Sequence, residues 1–184
     1  AAFRTPFRHT RGGAEGAGAV SAALARRLTE RDKALHAGVW DKSADGAHEV
    51  RGRTLGIVGY GNIGTQLSVL AESLGMSVVF YDVAERLALG NARRMSTLDE
   101  LLAVADVVTL HVDGRAGNAG MFGRHQFATM RPGAIFLNLS RGFIVDYPAL
   151  REAVMAGRNG GGAIDGFPAE PKRRGGTLRP GPPG

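Results

Sequence analysis

The 184-residue chain has no cysteine. That excludes a disulfide framework and any cysteine-ligated metal centre, and it accords with a reducing compartment. No apolar run reaches the length of a membrane-spanning helix. The first residues also lack the charged-then-apolar order of a secretory leader. A soluble, cytoplasmic protein with no membrane partner is expected. Acidic residues are absent from 171–184, which hold four basic ones. Residues 1–53 hold ten basic and six acidic residues, and residues 54–170 hold nine and eleven. The net charge of +6 therefore comes from the two ends. A basic stripe across a fold marks nucleic-acid binding. Basic ends around a slightly acidic centre do not, and no nucleic-acid partner is expected.

The most informative segment is Leu55-Gly56-Ile57-Val58-Gly59-Tyr60-Gly61-Asn62-Ile63-Gly64. An apolar run enters a turn in which Gly59, Gly61 and Gly64 have G-x-G-x-x-G spacing. These glycines supply a tight turn, close backbone approach to a pyrophosphate, and close helix–strand packing. Apolar residues at Ile63, Leu67, Leu70, Ala71 and Leu74 give a helix with one buried face, stopped at Gly75. A second strand, Val78–Tyr81, ends on Asp82, where a dinucleotide-binding unit carries the acid for its ribose hydroxyls.

The rest of the chain continues the alternation. Residues 14–35 read as one helix, weakened at Gly16 and Gly18, and residues 36–52 as a polar connection. Thr97 with Glu100 forms a capping box ahead of a helix, followed by a strand over Asp106–His111. Arg131-Pro132-Gly133 turns into a strand over Ala134–Asn138. Asp146 caps a helix from Tyr147 to Ala156 that ends at Gly157. Ala163-Ile164-Asp165 is a short fifth strand. Continuous apolar strands between helices predict an α/β fold with a doubly wound parallel sheet. Ligands of such sheets bind beyond the carboxyl ends of the strands. Gly59, Asp82, His111, Ser140 with Arg141, and Asp165 fall there. Residues 172–184 are Arg, Gly and Pro with almost nothing to bury, and disorder is expected. The expected division is 1–49 as N-terminal helix and connection, 50–171 as the dinucleotide-binding domain, and 172–184 as tail.

Several segments carry a resemblance. They are Gly52 to Gly64, Leu70 to Met76, Leu137-Asn138-Leu139-Ser140-Arg141-Gly142 with Val145-Asp146, and Ala163-Ile164-Asp165 with Pro168-Ala169-Glu170-Pro171. In this order and separation they closely resemble the D-isomer-specific 2-hydroxy acid dehydrogenases. The resemblance implies a Rossmann-like domain that binds NAD and a hydride transfer between NAD and a D-2-hydroxy acid. The expected acid is 3-phosphoglycerate, as in serine biosynthesis. By the same resemblance Arg141 anchors the substrate, and Glu170 pairs with an acid–base His and raises its pKa. Asn62 and Ile63 lie at the pyrophosphate, and Asp82 holds the ribose. Leu139, Ser140 and Asp165 lie beside the nicotinamide, with His111 and Val112 at the cofactor edge. NAD is expected over NADP, because Asp82 repels a 2′-phosphate and Val83-Ala84 offers no Arg to receive one.

The chain departs from the family pattern in places. The family's acid–base His lies downstream of the Glu-Pro pair, and none of His9, His36, His48, His111 and His125 occupies that place. The family's substrate domain, largely built before residue 1, has no counterpart here. Asp113 replaces a proline after His111-Val112, and Gly166 replaces the Val of Asp-Val-Phe. The family's first helix is strongly apolar and packs at a dimer interface, whereas here it reads Gly13-Ala14-Glu15-Gly16-Ala17-Gly18-Ala19. At roughly 25 cal/mol per Å², that exchange removes several kcal/mol of burial. The expectation is a truncated or damaged NAD-binding domain with a frame-shifted tail, nearly inactive alone. A homodimer through residues 14–35 is its expected assembly, and an NAD(H)-responsive regulatory or dimerisation module is the alternative reading.

Overall fold

A computed structural model describes residues 9–165. Glu170 and the 172–184 tail lie outside them. The chain runs α1 (Thr10–Ala25), α2 (Leu28–His36), β1 (Thr54–Val58), α3 (Asn62–Ser73), β2 (Ser77–Tyr81), β3 (Arg93–Arg94), α4 (Leu98–Val104), β4 (Val107–Leu110), α5 (Arg124–Thr129), β5 (Ile135–Asn138), α6 (Tyr147–Met155) and β6 (Gly161–Ile164).

All six strands are parallel, in the order β3-β2-β1-β4-β5-β6. The chain works outward from β1 to β3, then returns to the other side of β1 at β4. The β1/β4 boundary is therefore the topological switch point, where such sheets open a crevice.

Strand residues alternate between two cores, as the pleat requires. Leu55, Ile57, Val78, Phe80, Ile135 and Leu137 face Leu67 and Ala71 of α3 and Ala14 and Ala17 of α1. Val58, Val79, Val108 and Phe136 face the layer of α4, α5 and α6. There Phe122, Phe127 and Phe136 form an aromatic triad with centroids 4.7–5.1 Å apart. At the lower edge, Asp106 accepts from Thr54 N–H and from the Arg131 guanidinium, both at 2.8 Å. This ties the starts of β1, β4 and β5.

The Thr97/Glu100 capping box and the Asp146 cap form as read from the sequence. The single helix over 14–35 does not. It breaks at Arg26–Arg27, where Arg27 takes a left-handed φ of 55°. Arg27 is held there by its bonds to Glu30 and to the Asp45 carbonyl. The last strand starts two residues earlier than expected, and β3 and α5 are additions to the sequence reading.

Two glycines show opposite constraints. A Cβ on Gly56 would lie 2.6 Å from Leu101 Cδ2 and 2.8 Å from Ala105 Cβ, so β1 and α4 approach only because it is absent. A Cβ on Gly16, inside α1, would meet nothing within 4 Å. Gly56→Ala is expected to lower stability by about 1–3 kcal/mol through overpacking. Gly16→Ala is expected to raise it by about 0.5–1 kcal/mol through helix propensity. Urea denaturation of both variants checks the pair.

Candidate functional site

The site is built on the turn after β1. Gly59 has φ 93°, and a Cβ there would lie 2.8 Å from the His111 carbonyl and 2.9 Å from Val112 N. Its missing side chain lets the ends of β1 and β4 meet backbone to backbone. A Cβ on Gly64 would lie 2.4 Å from the Gly59 carbonyl oxygen, so α3 starts tight against the turn. Gly61 differs, because among the described residues nothing lies within 4 Å of its Cβ direction. It caps α3 without any side-chain bond to the first turn and lines the cleft above the switch point. An uncapped helix start with open space over its glycine suits an anionic group.

Asp82 stands at the end of β2. Its Oδ2 accepts from Tyr60 N–H and its Oδ1 from Ala84 N–H, both at 2.8 Å. These bonds fix the carboxylate between the glycine turn and the loop after β2. Val83-Ala84 offers no Arg to offset it. The fold supplies Arg86, whose Nε lies 3.5 Å from Asp82 Oδ2.

Gly59, Gly61, Asp82, His111 and Val112 line this one cleft. His111 also borders a second hollow, lined by Ile63, Leu139 and Asp165 and by the glycines of α1. His111 thus forms the ridge between the two. Its Nε2 is 2.9 Å from Thr109 Oγ1, while its Nδ1 is buried with no hydrogen-bond partner among the described residues. Burial pushes its pKa down to about 4, so the ring is neutral at physiological pH. Ser140 Oγ is a second buried polar atom without a partner among the described residues. Orphaned buried polar atoms of this kind call for a ligand or water. With the open Gly61 cradle and the Asp82 wall, they fit a dinucleotide laid along the strand ends.

Asn62 opens α3 with an exposed side chain, and Arg141 is exposed at the rim. Arg141 Nη1 donates to the Ser140 carbonyl at 2.9 Å, and its side chain runs past Gly114. Of the sequence candidates, Gly59, Gly61, Asp82, His111 and Val112 line the first cleft and Ile63, His111, Leu139 and Asp165 the second hollow, while Asn62, Gly64, Ser140 and Arg141 line neither.

Two residues that the sequence reading left without a role hold this rim in place. Asn138 is fully buried. It donates to the Arg141 carbonyl at 3.0 Å and accepts from Ser140 N–H at 3.1 Å, fixing that turn. Tyr60 is also fully buried and stacks on Phe80 with centroids 3.8 Å apart. Its hydroxyl is 2.7 Å from Ser68 Oγ and accepts from Leu89 N–H at 3.3 Å. Tyr60 therefore ties the glycine turn to the loop that walls the cleft. The available signal was an aromatic residue inside a glycine turn, where small or polar residues are usual.

Residues 19–181 match the sequence model for "D-isomer specific 2-hydroxyacid dehydrogenase, NAD binding domain". The chain is 49% identical to D-3-phosphoglycerate dehydrogenase 1 of Saccharomyces cerevisiae, over 95% of its own length and 37% of that protein's. It is 47% identical to the D-3-phosphoglycerate dehydrogenase of Escherichia coli K12, over 92% and 41%. It thus spans about two fifths of the length of these relatives. Among solved structures, Aquifex aeolicus D-lactate dehydrogenase, complexed with NAD and lactic acid, superposes with a TM-score of 0.81 at 30% identity. That match covers 86% of this chain and 48% of the other. By sequence and by fold, the chain belongs to the NAD-binding domain family of the D-isomer-specific 2-hydroxyacid dehydrogenases.

Proposed function

We propose that this chain is the dinucleotide half of a D-2-hydroxy acid dehydrogenase whose acid is 3-phosphoglycerate. The observation that carries the reading is Gly61, an open, side-chain-free start to α3 facing the cleft that Asp82 walls. Amides at Asn62 and Ile63 take the pyrophosphate and Asp82 takes the adenosine ribose. His111, Val112, Leu139, Ser140 and Asp165 border the nicotinamide, with the Nδ1 of His111 and the hydroxyl of Ser140 free to meet polar atoms of the cofactor. Bound NAD supplies the hydride acceptor. Arg141 presents a guanidinium at the rim for the carboxylate of the acid, since a planar fork suits a carboxylate. The choice of 3-phosphoglycerate is supported by the identity to the phosphoglycerate dehydrogenases.

Within residues 9–165 no histidine suits the proton transfer. His9, His36, His48 and His125 are all exposed, His36 beside Asp32 and His125 beside Asp99. His111 is neutral and buried, far from the balanced pKa that acid–base catalysis requires. Glu170 is the proposed partner of a histidine outside these 184 residues. Alone, the 184-residue polypeptide binds NAD(H) and does not turn over, which also keeps open a regulatory role for the isolated module. The dinucleotide unit is assigned to 50–171, and α1 of the 1–49 segment packs onto it. Two copies pair through residues 14–35. That pairing is supported by α2, which buries none of its residues and leaves Leu28 and Leu35 more than half exposed. A cytoplasmic setting is part of the proposal and is supported by the kinship with the phosphoglycerate dehydrogenases; within the described residues no helix is long and apolar enough to cross a membrane.

Calorimetric titration with NADH tests the reading. The Cβ of Gly61→Val meets nothing within 4 Å among the described residues, and the φ of −85° is one that valine adopts. This variant should melt like the unsubstituted chain yet bind NADH at least about tenfold more weakly, about 1.4 kcal/mol. Unchanged affinity in that variant refutes the assignment.

A pH effect on stability follows from His111. The unfolded chain protonates this ring below its ordinary 6.5, the folded chain only below about 4. Between those values the unfolded state holds more protons, so stability present above pH 6.5 drains away as the pH falls toward 4. The full loss is about 3 kcal/mol. Denaturant titrations at pH 7 and pH 4.5 should show most of it, and His111→Gln should flatten the difference.

A further inference from the structure

Strand β4 reads Val107-Val108-Thr109-Leu110, and Thr109 is its one polar residue. It is fully buried. Its neighbours in the sheet are Ile57 on β1 and Leu137 on β5, both apolar and fully buried. Valine would fill the same space, and an unbonded hydroxyl in such a layer is costly. Among the described residues the hydroxyl has one partner, the Nε2 of His111 at 2.9 Å. Residues two apart on a strand share a face, so the pair follows from the pleat.

Hydrogen accounting sets the direction of that bond. The ring of His111 is neutral at physiological pH and carries one N–H. If Nε2 held the hydrogen, it would donate to Thr109 Oγ1. Two groups would then be buried and unused, the hydroxyl hydrogen and the bare Nδ1. With the hydrogen on Nδ1, Thr109 donates to a bare Nε2, and only the Nδ1–H is left over. Each unmade buried group costs more than a typical hydrogen bond returns, so the Nδ1–H form is favoured. The fold offers that N–H no acceptor. One residue past the last paired row, His111 stands between Gly59 and Leu139, neither with a polar side chain. Asp165 lines the same hollow as His111 but makes no bond to Nδ1.

We propose that Thr109 is a positioning residue that holds His111 as its Nδ1–H tautomer, so that the ring presents a neutral hydrogen-bond donor and selects an acceptor oxygen on the ligand. The proposal rests on the dinucleotide reading, in which His111 borders the nicotinamide, and adds to it the residue that sets the polarity of that border. Thr109 is itself buried and acts only through the ring.

Nitrogen–proton NMR of the 184-residue chain, isotope-labelled on its histidine rings, reads the tautomer at pH 7, and His111→Gln assigns the signal by its loss. His111 should show a protonated Nδ1 and a bare Nε2, a result that needs no variant at Thr109 to fold. Thr109→Val removes the hydroxyl and frees Nε2 to take the hydrogen, so an Nε2–H form should appear. Thr109→Ser keeps the hydroxyl and should keep the Nδ1–H form. In calorimetry Thr109→Val should weaken NADH about three- to tenfold, the worth of one neutral hydrogen bond, and Thr109→Ser should restore it. ADP-ribose, which lacks the nicotinamide, should bind all three chains alike. A protonated Nε2 in the unsubstituted chain overturns the proposal. So does a Thr109→Val chain that binds NADH normally, or one that loses ADP-ribose as well, which marks a merely structural role. If the tautomer is as expected but the unsubstituted chain binds no NADH, the dinucleotide reading has failed and the donor loses its ligand with it.

Discussion

The contact between the ends of β1 and β4, backbone against backbone, is the constraint on which the site depends. It exists because Gly59 has no side chain and adopts a conformation that other residues avoid. It sets the depth of the cleft at the switch point and places His111 on the ridge between the two hollows. It also starts α3 at an angle that only Gly64 permits. The parallel sheet supplies the platform, but this one approach decides what stands on the rim.

Buried polar groups then fix the rim in detail. Asp82, Asn138 and Thr109 each bind neighbours at the strand ends, two of them through backbone amides or carbonyls. In a low-dielectric interior a polar group that finds its partner is rigid, and one that does not is expensive. The unpartnered Nδ1 of His111 and Oγ of Ser140 stand out against that background. Asp106 does the opposite job at the lower edge, where its bonds close the sheet and leave nothing open.

Much of this was legible in the sequence because it depends on short-range rules. Glycine spacing, strand and helix periodicity, the Thr97 box, the Asp146 cap and the acid at the end of the second strand all act within a few residues. What escaped depends on distance. Arg27 breaks the first helical stretch without a glycine or proline to announce it, through bonds to Glu30 and Asp45. β3 is two arginines at a sheet edge and α5 is six residues long, both too short to show a period. Arg86 entered the cleft because the loop after β2 folds back on Asp82. Tyr60 and Asn138 stood inside recognised motifs, but their work is done by hydroxyl and amide groups whose partners only the fold brings near.

The loop after β4 has two faces. Its Arg115 lines the cleft, and at its Gly114 a Cβ would sit 3.4 Å from Arg141 Cγ. Alanine is accommodated there in contact, while a longer side chain must displace the arginine. One short stretch of chain thus borders both the mouth beside Asp82 and the guanidinium at the end of β5. Mutational drift in this loop is therefore pleiotropic: a lineage that reshapes one end of the crevice inherits a change at the other.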